Sequence, residues 1–169
     1  MKKAYIALGI IGGAYIYDVV YRPIGIAKKA QKYAQSVNKG VINVGAGVPQ
    51  SSMRVAIFGP TKYGDINCDI AASKTTPCSK DTVCYCNIHE TFYADGEFGA
   101  AIVSHVFGFM DDPQKVLDEL LRIADRVYIV TDKWWDILSW KTLVGDNKWV
   151  KVANKNFLKN INDPRVLVF

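Results

Sequence analysis

Val41-Ile-Asn-Val-Gly-Ala-Gly47 is the stretch that decides the fold. Three apolar residues and an Asn run into two glycines separated by a small residue. The pattern predicts a buried strand ending in a turn free of side chains. In open α/β sheets such a turn stands at the carboxyl end of a strand, where bare backbone can approach a nucleotide-like ligand. Glycine serves there twice: it takes up φ/ψ values closed to other residues, and it leaves out the Cβ that would hold a ligand off. A G-x-G alone is a short signal, so the remainder of the chain has to supply the other parts of such a site.

Downstream, strand-like runs recur at 63–68, 82–86, 100–105, 126–131, 148–152 and 165–169. Between Asp112 and Ala124 the apolar positions Val116, Leu117, Leu120, Leu121 and Ile123 form a helical stripe, with Asp112 as cap and Pro113 in the first turn. A second helix is expected over 133–143. Strands alternating with helices predict a mostly parallel, Rossmann-like three-layer α/β domain. The segment 48–60 is too short and too broken, ending in Gly59-Pro60, to hold the helix that usually follows such a turn. The segment 71–80, with Pro77, reads as a loop. One face of the sheet is therefore expected to be trimmed.

Three segments carry a family resemblance: VINVGAG at 41–47, GDINCDI at 64–70, and GEFGAAIVSHVFGFMDDPQKVLDELLRIADRVYIVT at 96–131. Together they resemble the class I S-adenosylmethionine-dependent methyltransferases, most closely small members in which a short loop replaces the first helix. The resemblance implies S-adenosylmethionine as cofactor. It implies that Asn43, Gly45, Ala46 and Gly47 bring backbone to the methionine part. It further implies that Asp69, 22 positions beyond Gly47, accepts hydrogen bonds from the ribose hydroxyls. Asn87 stands where the family often has an Asp that reads the adenine amino group, and an amide oxygen can accept that bond. Ser104 and His105 end the fourth strand beside the sulfonium, which makes His105 the candidate catalytic base. The chain departs from the family pattern at Gly108-Phe109, where Glu-His is common, and at Asn43, where an acidic residue is common. These departures support the alternative of a degenerate methyltransferase-like domain acting as a non-catalytic binding or structural module.

Upstream of the turn, Ala4 to Tyr17 holds no charge, and the apolar run continues beyond Asp18 to Tyr21. Eighteen helical residues span about 27 Å, close to a hydrocarbon core of about 30 Å. The expected organisation is a membrane anchor at 1–22, a basic linker helix at 23–40 and the methyltransferase-like domain at 41–169. Lys2 and Lys3 flank one end of the apolar run; Arg22, Lys28, Lys29, Lys32 and Lys39 flank the other. The heavier basic side places the folded domain in the cytoplasm of a single-pass protein. Partners are then the lipid bilayer, an unidentified methyl acceptor, and a second copy packed through Gly9 and Gly13.

The net charge of +5 comes from 21 basic against 16 acidic residues without a block of like charge, so a nucleic-acid surface is not favoured. Cys68, Cys78, Cys84 and Cys86 lack C-x-x-C spacing, and no metal site is expected. In a cytoplasmic domain they read as reduced thiols. A secreted domain would pair them in one of three connectivities.

Overall fold

A computed structural model describes residues 13, 16–49, 55–56, 59–107, 110, 112–131 and 162–169. The chain builds a six-stranded sheet from β1 (Gly40–Val44), β2 (Ile66–Asp69), β3 (Val83–Tyr85), β4 (Phe98–Ser104), β5 (Ala124–Val130) and β6 (Val166–Val168). Their order across the sheet is β3-β2-β1-β4-β5-β6, and every neighbouring pair is parallel. This is the doubly wound order, with the connections leaving in opposite directions on either side of β1. The Rossmann-like expectation holds. The expected strand at 148–152 and helix at 133–143 lie outside the described residues, as does most of 48–60.

Two helices flank the sheet. Helix α1 (Arg22–Ser36) precedes β1, and helix α2 (Pro113–Ile123) links β4 to β5. Alternate residues of each central strand face opposite layers, as the strand period of two requires. Ile42, Val44, Ala101, Val103, Val127 and Ile129 pack with Val116, Leu117 and Leu120 of α2. Val41, Ala100, Ile102, Tyr128 and Val130 pack with Ile26, Ala27, Ala30 and Ala34 of α1. All seven residues of β4 are buried, which is why this strand reads as continuous apolar sequence rather than as alternation.

Helix α2 starts where the sequence predicts. The Asp112 side chain accepts the Lys115 amide at 3.0 Å, and Pro113 occupies the first turn. Helix α1 covers the stretch expected to be a linker, but it is a layer of the domain. Its alanine face lies so close to β4 that a Cβ on Gly99 would come within 2.7 Å of Ala34 Cα. Its direction is set by two contacts: Ala34 meets Gly99 at the start of β4, and the Arg22 guanidinium donates to the Thr131 carbonyl just beyond β5. The N-terminus of α1 therefore stands level with the carboxyl ends of the strands. It continues upstream through a π-helical turn, Tyr17–Tyr21. Among the described residues no helix is long and apolar enough to cross a membrane, and most of the expected anchor lies outside them.

The β2–β3 corner corrects one expectation. The cysteines are not free thiols: Cys68 pairs with Cys86 and Cys78 with Cys84, with Cα separations of 5.5 and 4.8 Å. The fold supplies the reason. In this parallel pair Cys68 and Cys84 are register neighbours, and the 70–82 connection folds back over them without a helix. Strands of four and three residues with no helical cover bury little apolar area, and cross-links substitute for it.

Candidate functional site

The turn at Gly45–Gly47 opens at the switch point between β1 and β4, and both glycines are left-handed, with φ of 71° and 79°. The space a Cβ would need is filled by the chain itself. On Gly45 it would meet Val106 Cγ2 at 2.2 Å, and on Gly47 Val55 Cγ2 at 2.5 Å. The amides of the turn are also engaged. Gly45 N and Ala46 N both donate to the Cys68 carbonyl, at 2.9 and 3.1 Å, and Gly47 N donates to Asp69 Oδ2 at 2.9 Å. Asp69 Oδ1 takes the Ala71 amide at 2.8 Å. The carboxylate that ends β2 thus ties the first turn to the second, and all three turn donors point into the protein.

A cleft of about 240 Å³ lies over the carboxyl ends of the first four strands. Val44 and Gly45 form its floor, Asp69 and Ile70 one wall, Val106 and Met110 the other, and Cys86, Ile88 and His89 close it. Its walls are largely apolar, which suits a flat heterocycle, and its volume is just under the roughly 300–1,000 Å³ of ordinary small-molecule sites. Two larger depressions, of about 540 and 510 Å³, are lined in part by Glu119 and Arg122 and by Arg122 and Arg165, and the first of them shares His89 with the cleft. Those charges already have partners within the chain, so the smaller cleft is the better candidate site.

The other sequence-predicted residues divide between this cleft and its support. Asn43 is fully buried on the α1 side of β1. Its amide nitrogen donates to the Thr61 carbonyl at 2.8 Å and to Asn67 Oδ1 at 3.2 Å, and so holds the 61–67 segment against the sheet. Ala46 is buried, and its carbonyl accepts from Thr61 N at 2.8 Å. Ser104 is buried on the same face as Asn43. Asn43 Oδ1 and Ser104 Oγ are buried without a hydrogen-bond partner among the described residues. His105 is the first residue beyond β4, in a left-handed conformation (φ 58°) that is uncommon outside glycine, and its amide donates to the Val130 carbonyl at 2.9 Å. It does not line the cleft.

Asn87 stands beside the cleft and orients a residue that does line it. Its Oδ1 accepts the His89 amide at 3.2 Å and lies 3.3 Å from His89 Nδ1. A proton on Nδ1 satisfies that contact and leaves Nε2 as the basic nitrogen. His89 is thus the imidazole at the cleft, along with Ile70, Val106 and Met110, none of which the sequence reading singled out. The only signal available was their position in the loops that follow β2, β3 and β4. Gly108 and Phe109, where the family pattern was departed from, lie outside the described residues.

The loop carrying His89 is anchored to α2 by an ion-pair cluster. Glu119 Oε1 accepts Thr91 N at 2.7 Å and Thr91 Oγ1 at 2.6 Å, while Arg122 forks onto both Glu119 oxygens at 2.8 Å and onto Asp95 at 2.6 Å. These bonds, those from Arg122 foremost, hold the Glu119 carboxyl down at a pKa of about 2, against the opposing effect of burial. Arg122 is raised in turn, chiefly by Glu119. Tyr93 in the same loop is raised by burial and by nearby Glu97.

No family model and no curated protein matches the chain. Two of the solved structures similar to it are methyltransferases by description. One is a SAM-dependent methyltransferase, described as a possible histamine N-methyltransferase, from Thermotoga maritima; it is 16% identical over 75% of this chain and 68% of that one, with a TM-score of 0.41. The other is a putative S-adenosyl-L-methionine-dependent methyltransferase from Methanococcus maripaludis, 17% identical over 92% of this chain and 76% of that one, also with a TM-score of 0.41. At these identities and scores they are what the chain is similar to, and they do not show a family.

Proposed function

We propose that the chain binds S-adenosylmethionine in the cleft over β1–β4 and transfers its methyl group to an acceptor at a membrane. The observation that carries this reading is the meeting of the Gly45–Gly47 turn and Asp69 at one cleft, at the switch point of a 3-2-1-4-5-6 parallel sheet. The sequence resemblance over 41–131 supports it. Val44, Ile70, Ile88, Val106 and Met110 are suited to hold an adenine ring. Each Asp69 oxygen retains a lone pair beyond the amide it accepts, so the carboxylate can still take ribose hydroxyls.

The cofactor, when bound, supplies an electrophilic methyl on a sulfonium. An acceptor N, O or C atom that carries a proton would have to lose it on taking that methyl. His89 Nε2 is the base at the cleft wall, and Asn87 keeps its tautomer. His105, the base expected from the resemblance, is not among the described residues that line the cleft. Anchoring through 1–22, pairing of two copies through Gly9 and Gly13, and a cytoplasmic domain belong to the same proposal. The two disulfides argue for the opposite side, because cytoplasmic thiols are ordinarily kept reduced.

A second reading, a non-catalytic binding module, is favoured by the engaged turn: with all three amides donating inward, none is left for the cofactor carboxylate. Calorimetric titration of the full chain in detergent with S-adenosylmethionine and S-adenosylhomocysteine tests the first reading. Binding is expected, and Asp69→Asn should weaken it by about tenfold, the loss of roughly one charge-assisted hydrogen bond. Absence of binding at millimolar ligand by folded protein overturns both the cofactor and the enzyme. Binding without methyl release leaves the module.

A further inference from the structure

We infer that the edge of the sheet carrying the cleft is the surface that meets the bilayer, and that the methyl acceptor is a membrane-resident amphipath whose reactive group sits at headgroup level. The substrate class rests on the methyltransferase reading; the membrane-facing edge does not. Helix α1 runs antiparallel to the strands it covers, as its Gly99 and Thr131 contacts require, so the chain enters the domain at the carboxyl ends of the strands. The cleft opens at that same edge, between Gly45, Asp69, Ile70 and Val106.

Upstream of Arg22 the helix continues past this edge and, Asp18 apart, turns apolar, with Ile16 exposed at 47% and Tyr17 and Tyr21 each at 62%. At 1.5 Å per residue, Ile16 stands about 9 Å beyond Arg22 along the helix axis. The sequence from Tyr17 back to Ala4 carries no charge. Tyrosines at the start of such a run suit the headgroup zone. The outer face of α1 presents Lys28, Lys29 and Lys32, and no acidic residue occurs between Ile24 and Asn38, which favours an anionic lipid surface.

The cleft lies close to the entry point. Helix α1 sits on β4 and β1, and the cleft lies over β1 and its neighbours, one or two strand spacings away. With about 4.8 Å per strand and about 10 Å for a layer, the separation is roughly 15 Å. Ile70, a cleft wall residue directly after Asp69, is 62% exposed at this edge among the described residues, an aliphatic side chain turned largely to solvent. A water-soluble acceptor gives no use to an apolar rim beside an apolar membrane entry; an acyl or prenyl chain does.

The full chain, reconstituted in vesicles of mixed phosphatidylglycerol and phosphatidylcholine, provides the test. A photoreactive p-benzoylphenylalanine is placed in one protein at Ile70 and in another at Asp95, whose exposed side chain marks the opposite edge of the sheet. Illumination should give lipid adducts from position 70 and none from position 95. Adducts from neither, from both equally, or from 95 alone overturn the membrane-facing edge. With labelled S-adenosylmethionine and native membranes, label in the lipid extract supports the acceptor class, and label confined to water-soluble products overturns it. Failure of the calorimetric titration with adducts intact retires the methyltransferase reading and leaves the membrane-facing edge standing.

Discussion

Two glycines show how one substitution can change sign with its surroundings. Gly45 is left-handed, and a Cβ there collides with Val106. Gly45→Ala is expected to cost about 2–4 kcal/mol, from the left-handed penalty plus overpacking. Gly25 lies inside α1 with open space where its Cβ would project and an ordinary helical φ. Gly25→Ala is expected to stabilise by about 0.5–1 kcal/mol, the helix-interior difference between the two residues. Urea unfolding of both variants checks the pair, and equal shifts would remove the structural role given to the turn. The G-x-G was legible in the sequence, and so was its need for glycine. Its partner was not: Val106 lies 61 positions away and reaches Gly45 only because β4 pairs with β1.

At the scale of elements, the helix α2 and the loop it holds form a unit with its own pH dependence. Glu119 has a folded pKa of about 2, below its ordinary 4.5. A depressed carboxyl contributes stability that is fully present above the ordinary value and is lost as pH falls towards the folded one. Glu119→Gln should therefore destabilise by about 1–2 kcal/mol at pH 6, its partners being half-exposed, and by progressively less between pH 4.5 and 2. Urea midpoints across that range are the measurement, and a pH-independent difference would show that Glu119 acts only by packing. The boundaries of α2 were readable from cap, proline and periodicity, all of which are local. That Glu119 reaches 28 residues back to Thr91 was not, because the loop's path is decided by the sheet.

The β2–β3 corner is the second element with a consequence. Its two bridges are nested, closing loops with separations of 18 and 6 residues. In the chain-entropy account each contributes about 2–3 kcal/mol, with less than the sum for a nested pair. Reduction under native conditions should lower the melting temperature and disturb the cleft first, because Cys86 forms part of its wall. Thermal melts with and without a dithiol decide this, and unchanged curves would mean that the corner stands without its cross-links.

For the whole molecule, the same cysteines set two lines of physical reasoning against each other. The basic flank of the apolar segment argues for a cytoplasmic domain; two disulfides argue for an oxidising compartment. A thiol count on protein isolated under alkylating conditions separates them. No free thiols are expected if the domain lies on the oxidising side, and four would restore the cytoplasmic placement. Lys28, Lys29 and Lys32, three of the basic residues behind the positive-inside argument, belong to α1, which is a packed layer of the domain rather than a free linker.

What the sequence by itself determined is the class of the fold: a parallel α/β sheet, with the glycine turn after its first strand, Asp69 ending its second, and the β4–α2–β5 unit. The turn, the cap and the periods of the strands and helix are each local to a dozen residues, and the place of Asp69 came from the family resemblance. Only the tertiary structure decided that the turn donates its amides inward, that His89 rather than His105 faces the cleft, that the cysteines pair, and that α1 begins at the edge where the cleft opens. These depend on strand order, which brings residues tens of positions apart within hydrogen-bond reach, and no local pattern encodes that order.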